Sequence, residues 1–370
     1  MAHHTRRLRL ACTRPTNNRE VNLRGQLHSA NPISLNITKK GFQFMSDTRF
    51  DITGIGNAIV DFLLQTDDTF LSRHNMPKGA MSLIDADTAT RLTNAMQGAM
   101  TASGGSVANS CAVAAALGAK VAFLGKVAKD EMGEVFRREI ATVGVHYATA
   151  PLNTAVPTAR CLILVTPDGQ RTMNTYLGAG GEFGLADLDE TIIAASKVTY
   201  LEGYLFDPPA AQAAFIESAR MARAAGQKTA LSLSDAFCVD RHRVGFKRLI
   251  AEGVNILFAN EAEICSLYQV NDFKTATHKA AQDVEIAVLT RSEQGSVILH
   301  QGQTINIAAA PTTVVDTTGA GDAYAAGFLT AYTKDKGLKE AGQLGSKAAA
   351  LAISRIGARP PATEIAALLA

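Results

Sequence analysis

The chain has 370 residues, which is too many for one small core and suits one large α/β domain with an insertion. Apolar residues make up 47% and charged residues 19%, the formal net charge is +2, and Trp is absent. This balance is that of an ordinary globular protein, and it argues against nucleic acid or an anionic membrane surface as a partner.

The first 46 residues differ in composition from the rest. They carry eight basic residues, whereas Glu20 is the single acid before Asp47. An arginine-rich, acid-poor start is typical of a transit peptide. The alternative, which we favour, is a gene start placed too far upstream, because Met45 directly precedes a stretch typical of a first strand. In both cases we expect residues 1–46 to be disordered and residues 47–370 to form the folded domain.

From Phe50 onward, strand-like apolar segments alternate with helical segments. In the first half, strands are predicted within 50–65 and 120–128, and helices over 107–119 and 131–144. The segment 159–180 has two strand-like halves around Pro167-Asp168-Gly169, which is a hairpin signal.

The alternation is clearer in the second half of the chain. Strands are predicted within 197–205, 228–235, 254–260 and 286–300, and helices within 209–226, 243–253, 319–337 and 338–357. Short buried strands that alternate with helices predict a doubly wound, mostly parallel sheet flanked by helices, in the α/β class. The segments at about 61–85 and 146–182 do not fit this rhythm, and we expect them to form a small, discontinuous β lid.

Five cysteines occur, at positions 12, 111, 161, 238 and 265, and no pair has CxxC spacing. Neither a disulfide framework nor a zinc site is indicated, so the composition fits a reducing cytoplasm. No apolar stretch approaches the length of a membrane span.

The stretch DTTGAGDAYAAGFL at 316–329 places glycines and aspartates directly before an apolar helix. We expect a strand to end at Val314-Val315 and a helix to begin near Asp322. Glycines let backbone amides converge, and the helix dipole behind them attracts an anion. A carboxylate at Asp322 can then accept a proton from an attacking hydroxyl while the amides stabilise a transferring phosphoryl group.

A capped helix with an aspartate in its first turn explains the same stretch. The interaction of this aspartate with the helix dipole would stabilise the helix by about 0.3–1 kcal/mol. Taken alone, the stretch favours that simpler interpretation. The dipole is also expected to lower the pKa of Asp322 and so weaken it as a base. Phosphoryl transfer tolerates this if Asp322 mainly orients the hydroxyl.

Two other nucleotide motifs are excluded. No GxxxxGK[ST] occurs anywhere, so there is no Walker A loop. The spacing in GAGDAYAAG is wrong for a dinucleotide fingerprint, and GAGGEFG at 178–184 lacks a strand–turn–helix context. A dinucleotide-dependent oxidoreductase is therefore disfavoured.

Two long stretches together resemble one family. The stretch 316–329 closely resembles the C-terminal signature of the ribokinase-like (PfkB) family of sugar and nucleoside kinases. SGGSVANSCAVAAALGAKVAFLGKVAKDEMGEVF at 103–136 resembles the N-terminal signature of the same family. The resemblance runs from about Asp51 to the C-terminus. It implies a ribokinase-like fold and ATP-dependent phosphorylation of an alcohol.

The resemblance also implies roles for single residues at the acceptor. Asp322 would be the catalytic base, and the anion hole would be formed by Gly319, Ala320 and Gly321. The hydroxyl groups of the acceptor would be contacted by Asn57, Asp61, Gly104, Gly105 and Asn109. A carboxylate such as Asp61 can accept two hydrogen bonds from a vicinal diol, although the residue taken alone favours the simpler interpretation of a polar residue at a strand end.

The motif FANEAEI at 258–264 resembles the NxxE motif of the family. The resemblance implies that Asn260 lies at the nucleotide and that Glu263 holds Mg²⁺ directly or through water, in a site with few carboxylates. An N-capping Asn with a Glu in the first helical turn explains the same pair equally.

The segment LTRSEQGSVIL at 289–299 resembles the nucleotide-binding strand–loop–strand, in which Thr290, Ser292 and Gly295 would contact ATP. A hairpin with a glycine turn is the alternative. Arg171 matches an arginine in the lid of related kinases and could clamp phosphate when the lid closes. An exposed turn arginine is the simpler explanation.

Within the family, the chain most resembles the adenosine kinase branch. Four stretches carry this resemblance: GIGNAIVD, YLEGYLFDPP, LSLSDAFCVD and FANEAEI. This similarity implies transfer of the ATP γ-phosphate to the 5′-hydroxyl of a purine nucleoside. The base needs apolar walls and an aromatic face, for which we expect Met81 and Leu83 with Tyr204 or Phe206. A sugar kinase that acts on ribose or fructose is the alternative, and adenosine against guanosine stays open.

The partners implied are ATP, Mg²⁺ and a small nucleoside or sugar, in the cytoplasm. Assistance by K⁺ near residues 316–321 and the choice between monomer and homodimer stay open. A catalytically silent binding protein on this scaffold is disfavoured, because Asp322 and its glycines are retained.

Overall fold

The computed structural model describes residues 49–369, so the predicted basic extension over 1–46 lies outside the described residues. The strands are β1 Phe50–Ile55, β2 Ile59–Gln65, β3 Met81–Leu83, β4 Met100–Gly104, β5 Val121–Leu124, β6 His146–Tyr147, β7 Ala159–Val165, β8 Arg171–Tyr176, β9 Ser196–Glu202, β10 Lys228–Ser232, β11 Ile256–Asn260, β12 Ile286–Thr290, β13 Ser296–His300 and β14 Gln303–Ile307. The helices are α1 Asp68–Arg73, α2 Ala86–Ala95, α3 Ser106–Ala116, α4 Glu131–Thr142, α5 Glu190–Ala194, α6 Pro209–Ala224, α7 Ala236–Gly253, α8 Glu261–Tyr268, α9 Phe273–Asp283, α10 Ala320–Thr333, α11 Leu338–Ile353 and α12 Ala362–Ala366.

Nine strands form a large sheet in the order β14-β13-β12-β11-β10-β9-β1-β5-β6. The strands from β12 through β6 pair in parallel, whereas β13 and β14 are added as antiparallel strands at one edge. The predicted doubly wound, mostly parallel sheet flanked by helices is therefore confirmed.

The large sheet is buried on both faces, because successive residues of a strand point to opposite sides. Tyr200 and Phe258 belong to the apolar cluster on one face, with residues of α3 and α10. Leu201 and Leu257 belong to the cluster on the other face, with residues of α6 and α7. This arrangement explains why the strands read as continuous apolar runs without polar alternation.

Five strands form a second, small sheet in the order β3-β8-β7-β2-β4. The strands β7 and β8 form the hairpin signalled by Pro167-Asp168-Gly169, and Gly169 takes a positive φ of 79° in that turn. The small sheet differs in extent from the ranges named for the lid. Met100–Gly104 belongs to it, whereas His146–Tyr147 pairs with β5 in the large sheet.

The stretch 50–65 forms two strands in two different sheets. The strand β1 lies in the large sheet, the chain leaves it at Gly56, and β2 begins at Ile59 in the small sheet. A Cβ on Gly56 would lie 2.3 Å from Oε2 of Glu202, so the absence of a side chain allows this close approach. The crossing places Asn57 between the two sheets.

The parallel strands direct several loops to one edge of the large sheet, where ligands of such folds bind. Glu202, Ser232, Asn260 and Thr290 are the last residues of four neighbouring parallel strands. The predicted strand ending at Val314-Val315 is wrong, because no regular structure is formed between Ile307 and Ala320. Instead, the amide of Val315 donates to Ile353 O at the end of α11.

Candidate active site

A cavity of about 1090 Å³ lies between the carboxyl edge of the large sheet and one face of the small sheet. Fourteen of the sixteen predicted site residues line it: Asn57, Asp61, Gly105, Asn109, Tyr204, Asn260, Glu263, Thr290, Ser292, Gly295, Gly319, Ala320, Gly321 and Asp322. The other two, Gly104 and Arg171, lie next to lining residues but do not line the cavity themselves. Residues separated by more than 250 positions in the sequence are thus brought to one site.

The anion loop, which we define as residues 316–321, precedes α10 directly. Gly319 is the N-cap with φ of 72°, and a Cβ there would lie 2.7 Å from Cβ of Ala358. The amides of Gly319 and Gly321 have no acceptor within residues 49–369, whereas the amide of Ala320 donates to Thr317 O at 3.3 Å. A Cβ on Gly321 would meet nothing within 4 Å, so its backbone faces open space. This loop can receive an anion.

The carboxylate of Asp322 in the first turn of α10 is held by two donors from α3. The Ser106 hydroxyl donates to Oδ1 at 2.6 Å, and Nδ2 of Asn109 donates to Oδ2 at 3.1 Å. Burial raises the pKa of Asp322 to about 6, although both hydrogen bonds act to lower it. The expectation that the helix dipole dominates and lowers this pKa is therefore wrong. A group with this pKa is a suitable proton acceptor near neutral pH.

The carboxylate of Asp61 on β2 lines the cavity and accepts no hydrogen bond from residues 49–369. Burial raises the pKa of Asp61 to about 7, against opposing effects of Arg359 and Arg171. A Cβ on Gly104 would lie 2.2 Å from this carboxylate. Gly104 therefore supports Asp61 from behind, which differs from its predicted direct contact with the acceptor. The free carboxylate can accept hydrogen bonds from a ligand.

Asn57 joins Asp61 at the same end of the cavity. Its Nδ2 donates to Oε1 of Glu202 at 2.6 Å, whereas its buried Oδ1 has no donor within residues 49–369. Gly105 takes φ of 97°, and a Cβ there would lie 2.1 Å from Asn57 O. The paired glycines thus let the backbone before α3 pack tightly against residues 57 and 61.

Glu202 is a cavity residue that the sequence reasoning missed. It is fully enclosed at the end of β9, and its Oε2 accepts from the amide of Val107 at 2.9 Å. Burial raises the pKa of Glu202 to about 7. Its position at the end of a parallel strand, within the quoted stretch YLEGYL, is the signal that could have identified it.

Asn260 and Glu263 form a capping box at the start of α8. Oδ1 of Asn260 accepts from the Glu263 amide at 2.9 Å, and Oε2 of Glu263 accepts from the Asn260 amide at 2.9 Å. Nδ2 of Asn260 also donates to Oε1 of Glu263 at 2.5 Å. Burial raises the pKa of Glu263 to about 7.

No group of three or more His, Cys, Asp or Glu within residues 49–369 could hold a metal ion on its own. Each oxygen of Glu263 keeps a lone pair beyond its bond from Asn260. This single carboxylate fits Mg²⁺ that takes its other ligands from phosphates and water, as Mg²⁺ commonly does.

The segment from Thr290 to Gly295 connects β12 and β13 as an antiparallel hairpin. Gly295 takes φ of 82°, and a Cβ there would lie 2.0 Å from Ile307 O. Thr290, Ser292 and Gly295 all line the cavity. The glycine is thus required by a close backbone approach, and the turn presents two hydroxyl groups to the cavity.

Arg171, the first residue of β8, reaches from the small sheet to the anion loop. Its Nη1 forms a 2.9 Å ion pair with Oδ1 of Asp316, and its Nε and Nη2 are buried without an acceptor in the described part of the chain. Asp316 also accepts from the amides of Thr318 and Gly357, at 2.9 and 2.8 Å. Two spare guanidinium donors therefore lie close to the anion loop.

The small sheet contributes an apolar wall to the cavity, composed of Ile59, Met81, Leu83, Cys161, Ile163 and Met173. Tyr204 lines the cavity, as predicted for one of two aromatic candidates. Phe206 does not, because its ring stacks on Phe246 at 4.6 Å within the core. The alternative that placed Phe206 in the wall is therefore wrong.

Arg359 is a second residue that the sequence reasoning missed. Its Nε donates to Oδ1 of Asn109 at 2.7 Å, and its Nη1 donates to the Ser103 hydroxyl at 2.6 Å. Asn109 in turn donates to Asp322. No motif around Arg359 signals this contact, which spans 250 positions of the sequence.

Comparison with known proteins is consistent with this geometry. A model of the pfkB family of carbohydrate kinases matches residues 79–365. The crystal structure of adenosine kinase from Sinorhizobium meliloti is 48% identical, with a TM-score of 0.82, and the match covers 87% of this chain and 98% of that one. A probable sugar kinase from Rhizobium etli is 47% identical, with a TM-score of 0.81 and coverage of 86% and 97%. Adenosine kinase from Saccharomyces cerevisiae is 25% identical over 334 residues, which are 84% of this chain and 97% of that protein.

A doubly wound sheet with a small second sheet over its carboxyl edge is the architecture of ribokinase-like kinases. The chain belongs to the pfkB family of carbohydrate kinases. This membership supports a phosphotransferase that uses ATP and a small-molecule acceptor. No helix within residues 49–369 is long and apolar enough to cross a membrane.

Proposed function

We propose that the protein is an ATP-dependent nucleoside kinase that transfers the γ-phosphate of ATP to the 5′-hydroxyl of a purine nucleoside. Adenosine is the first candidate, because similar proteins from Sinorhizobium meliloti and Saccharomyces cerevisiae are adenosine kinases. The proposal draws chiefly on the composition of the cavity.

One observation carries the proposal. The end of the cavity that contains Asp61 and Asp322 adjoins an apolar wall that includes Met81, Ile163 and Met173. A purine nucleoside has both parts, a hydroxyl-rich ribose and a flat base that gains from apolar and aromatic contact. A free pentose would occupy the polar end and leave the apolar wall facing water.

In the proposed reaction, Asp322 accepts the proton of the 5′-hydroxyl as the bond between O5′ and the γ-phosphorus forms. The bond between this phosphorus and the β,γ-bridging oxygen breaks, and its electrons remain on the ADP that leaves. The amides of Gly319 and Gly321 stabilise the negative charge on the transferring group, with Ala320 in the same turn. The pKa of Asp322, at about 6, keeps the carboxylate ionised at pH 7 and able to take a proton.

The ribose diol is proposed to donate to Asp61, whose oxygens have no other donor among residues 49–369. The buried Oδ1 of Asn57 accepts a further ribose hydroxyl, and Gly105 lets the sugar approach the backbone. Gly104 supports Asp61, Asn109 acts through Asp322, and Tyr204 faces the base. These contacts hold the 5′-hydroxyl at the carboxylate of Asp322, and this positioning supplies much of the rate enhancement.

The nucleotide is proposed to lie along Asn260, Thr290, Ser292 and Gly295. Arg171 lies next to the lining and keeps two donors without an acceptor in the described residues, and it is proposed to reach the phosphates when the lid closes. Mg²⁺, when bound at Glu263, neutralises phosphate charge. Potassium is not part of the proposal, because the Asp316 carboxylate is already engaged by Arg171 and two amides.

A sugar kinase is the second candidate. The similar protein from Rhizobium etli is described as a probable sugar kinase, and three acidic side chains at one end of the cavity suit a polyhydroxyl ligand such as ribose or fructose. The apolar wall is the feature that distinguishes the two candidates, because only a nucleoside has a base to cover it.

The two candidates are separated by measuring ADP release with adenosine, guanosine, ribose and fructose at equal concentrations. We expect a purine nucleoside to give the highest kcat/KM, with a 5′-monophosphate as product identified by mass spectrometry. A higher kcat/KM for ribose or fructose would replace the first proposal by the second. A cytoplasmic location stays a prediction, and so does the oligomeric state, monomer or homodimer.

A further inference from the structure

Arg359 lies between α11 and α12 and points toward the polar end of the cavity without lining it. Its guanidinium donates to two side chains on neighbouring elements, Ser103 at the end of β4 and Asn109 on α3. Its Nη2 is buried and has no acceptor in residues 49–369. Burying a guanidinium with an unpaired donor costs free energy, which points to a role for Arg359 beyond packing.

The bond from Arg359 decides how the Asn109 amide is oriented. A guanidinium carries donors only, so the atom of Asn109 that faces Nε must be the carbonyl oxygen Oδ1. The amide nitrogen Nδ2 is then directed at Oδ2 of Asp322, at 3.1 Å. Without Arg359, a flipped amide would turn its oxygen toward the carboxylate, and the two acceptors would repel each other.

The charge of Arg359 acts in the same direction as its hydrogen bond. Its positive charge favours the ionised forms of Asp61 and Asp322, against the burial that raises the pKa of each carboxyl. The charged or titratable groups that interact with Asp322 come from several elements: Arg359, Asp61, Tyr200, Glu202 and Tyr204. Arg359 is the cation of this set.

The segment that carries Arg359 also braces the anion loop. The amide of Gly357 donates to Oδ2 of Asp316 at 2.8 Å, and Ile353 O accepts from Val315 at 2.8 Å. Ala358 packs against Gly319. One short segment of the chain therefore contacts both the loop proposed to bind phosphate and the residue that orients the proposed base.

We infer that Arg359 is a positioning residue for phosphoryl transfer, which fixes the Asn109 amide so that Asp322 keeps its donor and its orientation toward the acceptor hydroxyl. This inference rests on the proposed function, because it assigns Asp322 the part of the base. Arg359 itself touches neither acceptor nor nucleotide.

The test compares Arg359→Met, which removes charge and donors, with Arg359→Lys, which keeps the charge but loses the planar fork. Arg355→Met is the matched control, because Arg355 lies in the same segment and pairs with Glu364 at the surface. The readouts are kcat, the KM for ATP, and the pH midpoint of the Asp322 carboxyl. That midpoint is followed by ¹³C shifts in Asp-labelled full-length protein and assigned with Asp322→Asn.

We expect Arg359→Met to lower kcat about 100-fold, since small misplacements of reacting groups can cost this much, with the KM for ATP within about threefold. Its Asp322 midpoint moves to higher pH, because a neighbouring positive charge is lost. Arg359→Lys lowers kcat about tenfold with a midpoint near that of the unmutated protein, because charge is kept and orientation is not. Arg355→Met changes neither quantity.

The inference is overturned if both Arg359 variants keep kcat within threefold and an unchanged midpoint, or if Arg355→Met causes an equal loss. If Arg359→Met does not fold, Arg359→Lys decides, and a kcat equal to that of the unmutated protein overturns the inference. If the unmutated protein phosphorylates no acceptor, the proposed function fails. The carboxyl midpoint then decides alone: a shift in Arg359→Met supports the positioning of Asp322, and no shift overturns it.

Discussion

The two ends of the cavity are built in different ways. At the acceptor end, which contains Asp61, Glu202 and Asp322, three enclosed carboxyl groups have pKa values raised by burial to about 7, 7 and 6. At the nucleotide end, Thr290, Ser292 and Gly295 belong to a hairpin turn that offers hydroxyl groups and backbone. Enclosed carboxyl groups with raised pKa values thus lie where a hydroxyl would lose its proton, and substitutions there should have the larger effects.

The largest effect is expected for Asp322→Asn, which keeps the shape of the side chain but cannot accept the proton. We predict a loss in kcat of about 1000-fold, within the range for a general base, with acceptor affinity within a few-fold. Steady-state ADP release and isothermal titration measure the two quantities. Asp335→Asn, just beyond the other end of α10, is the matched control and should leave both unchanged. Turnover within a few-fold of the unmutated enzyme would refute the assignment of the base.

The next effect concerns acceptor binding. Asp61→Ala removes the carboxylate proposed to bind the ribose diol, and we expect the KM for the acceptor to rise about 10–100-fold with the KM for ATP unchanged. Asp87→Ala on the exposed side of α2 serves as the control. If both KM values rise together, the substitution has disturbed the fold, or the acceptor end has been assigned to the wrong place.

A smaller effect tests the apolar wall. Leu83 is 49% exposed and lines the cavity, so Leu83→Ser should raise the KM for a purine nucleoside about threefold to tenfold through lost apolar contact. Leu185 is 56% exposed and lies outside the lining, which makes Leu185→Ser a matched control. An unchanged KM for the nucleoside in Leu83→Ser would favour the sugar kinase alternative.

The smallest effect is expected at the nucleotide end. Thr290→Val replaces a hydroxyl by a methyl of similar shape, and one neutral hydrogen bond corresponds to about a twofold to fivefold rise in the KM for ATP. Thr304→Val on the exposed edge strand β14 is the control. A hundredfold loss in Thr290→Val would show that the nucleotide end depends on single side chains as much as the acceptor end does.

The sequence was sufficient for the fold class because the evidence for that class is local. Apolar runs such as those ending at Glu202 and Thr290 alternate with helical segments, and helices that end before Gly118 and Gly144 reveal their boundaries. The glycines and aspartates of 316–322 mark the end of the sheet where the cavity forms. These features depend on neighbours in the chain, so periodicity and turn chemistry suffice to find them.

The features that the sequence did not reveal depend on tertiary packing. Whether burial or the helix dipole controls the pKa of Asp322 depends on walls contributed by distant segments. Tyr204 and Phe206 are two positions apart in one 3₁₀ turn, and neither residue type indicates which side chain faces the cavity. Val314 and Val315 are β-branched, yet the segment is held by α11 instead of a strand. Arg359 contacts Asn109 across 250 positions without any motif.

The central claim is that a carboxyl group desolvated by burial accepts the proton of the acceptor hydroxyl. Single-turnover transfer from γ-labelled ATP to adenosine, measured by rapid quench between pH 5 and 8, tests it most directly. We predict that the rate in the unmutated protein rises with pH through about 6, because Asp322 must lose its proton to act as a base. In Asp322→Asn the residual rate should be about 1000-fold slower and should lack this dependence. An equal rate in Asp322→Asn, with the same rise through pH 6, would contradict the claim.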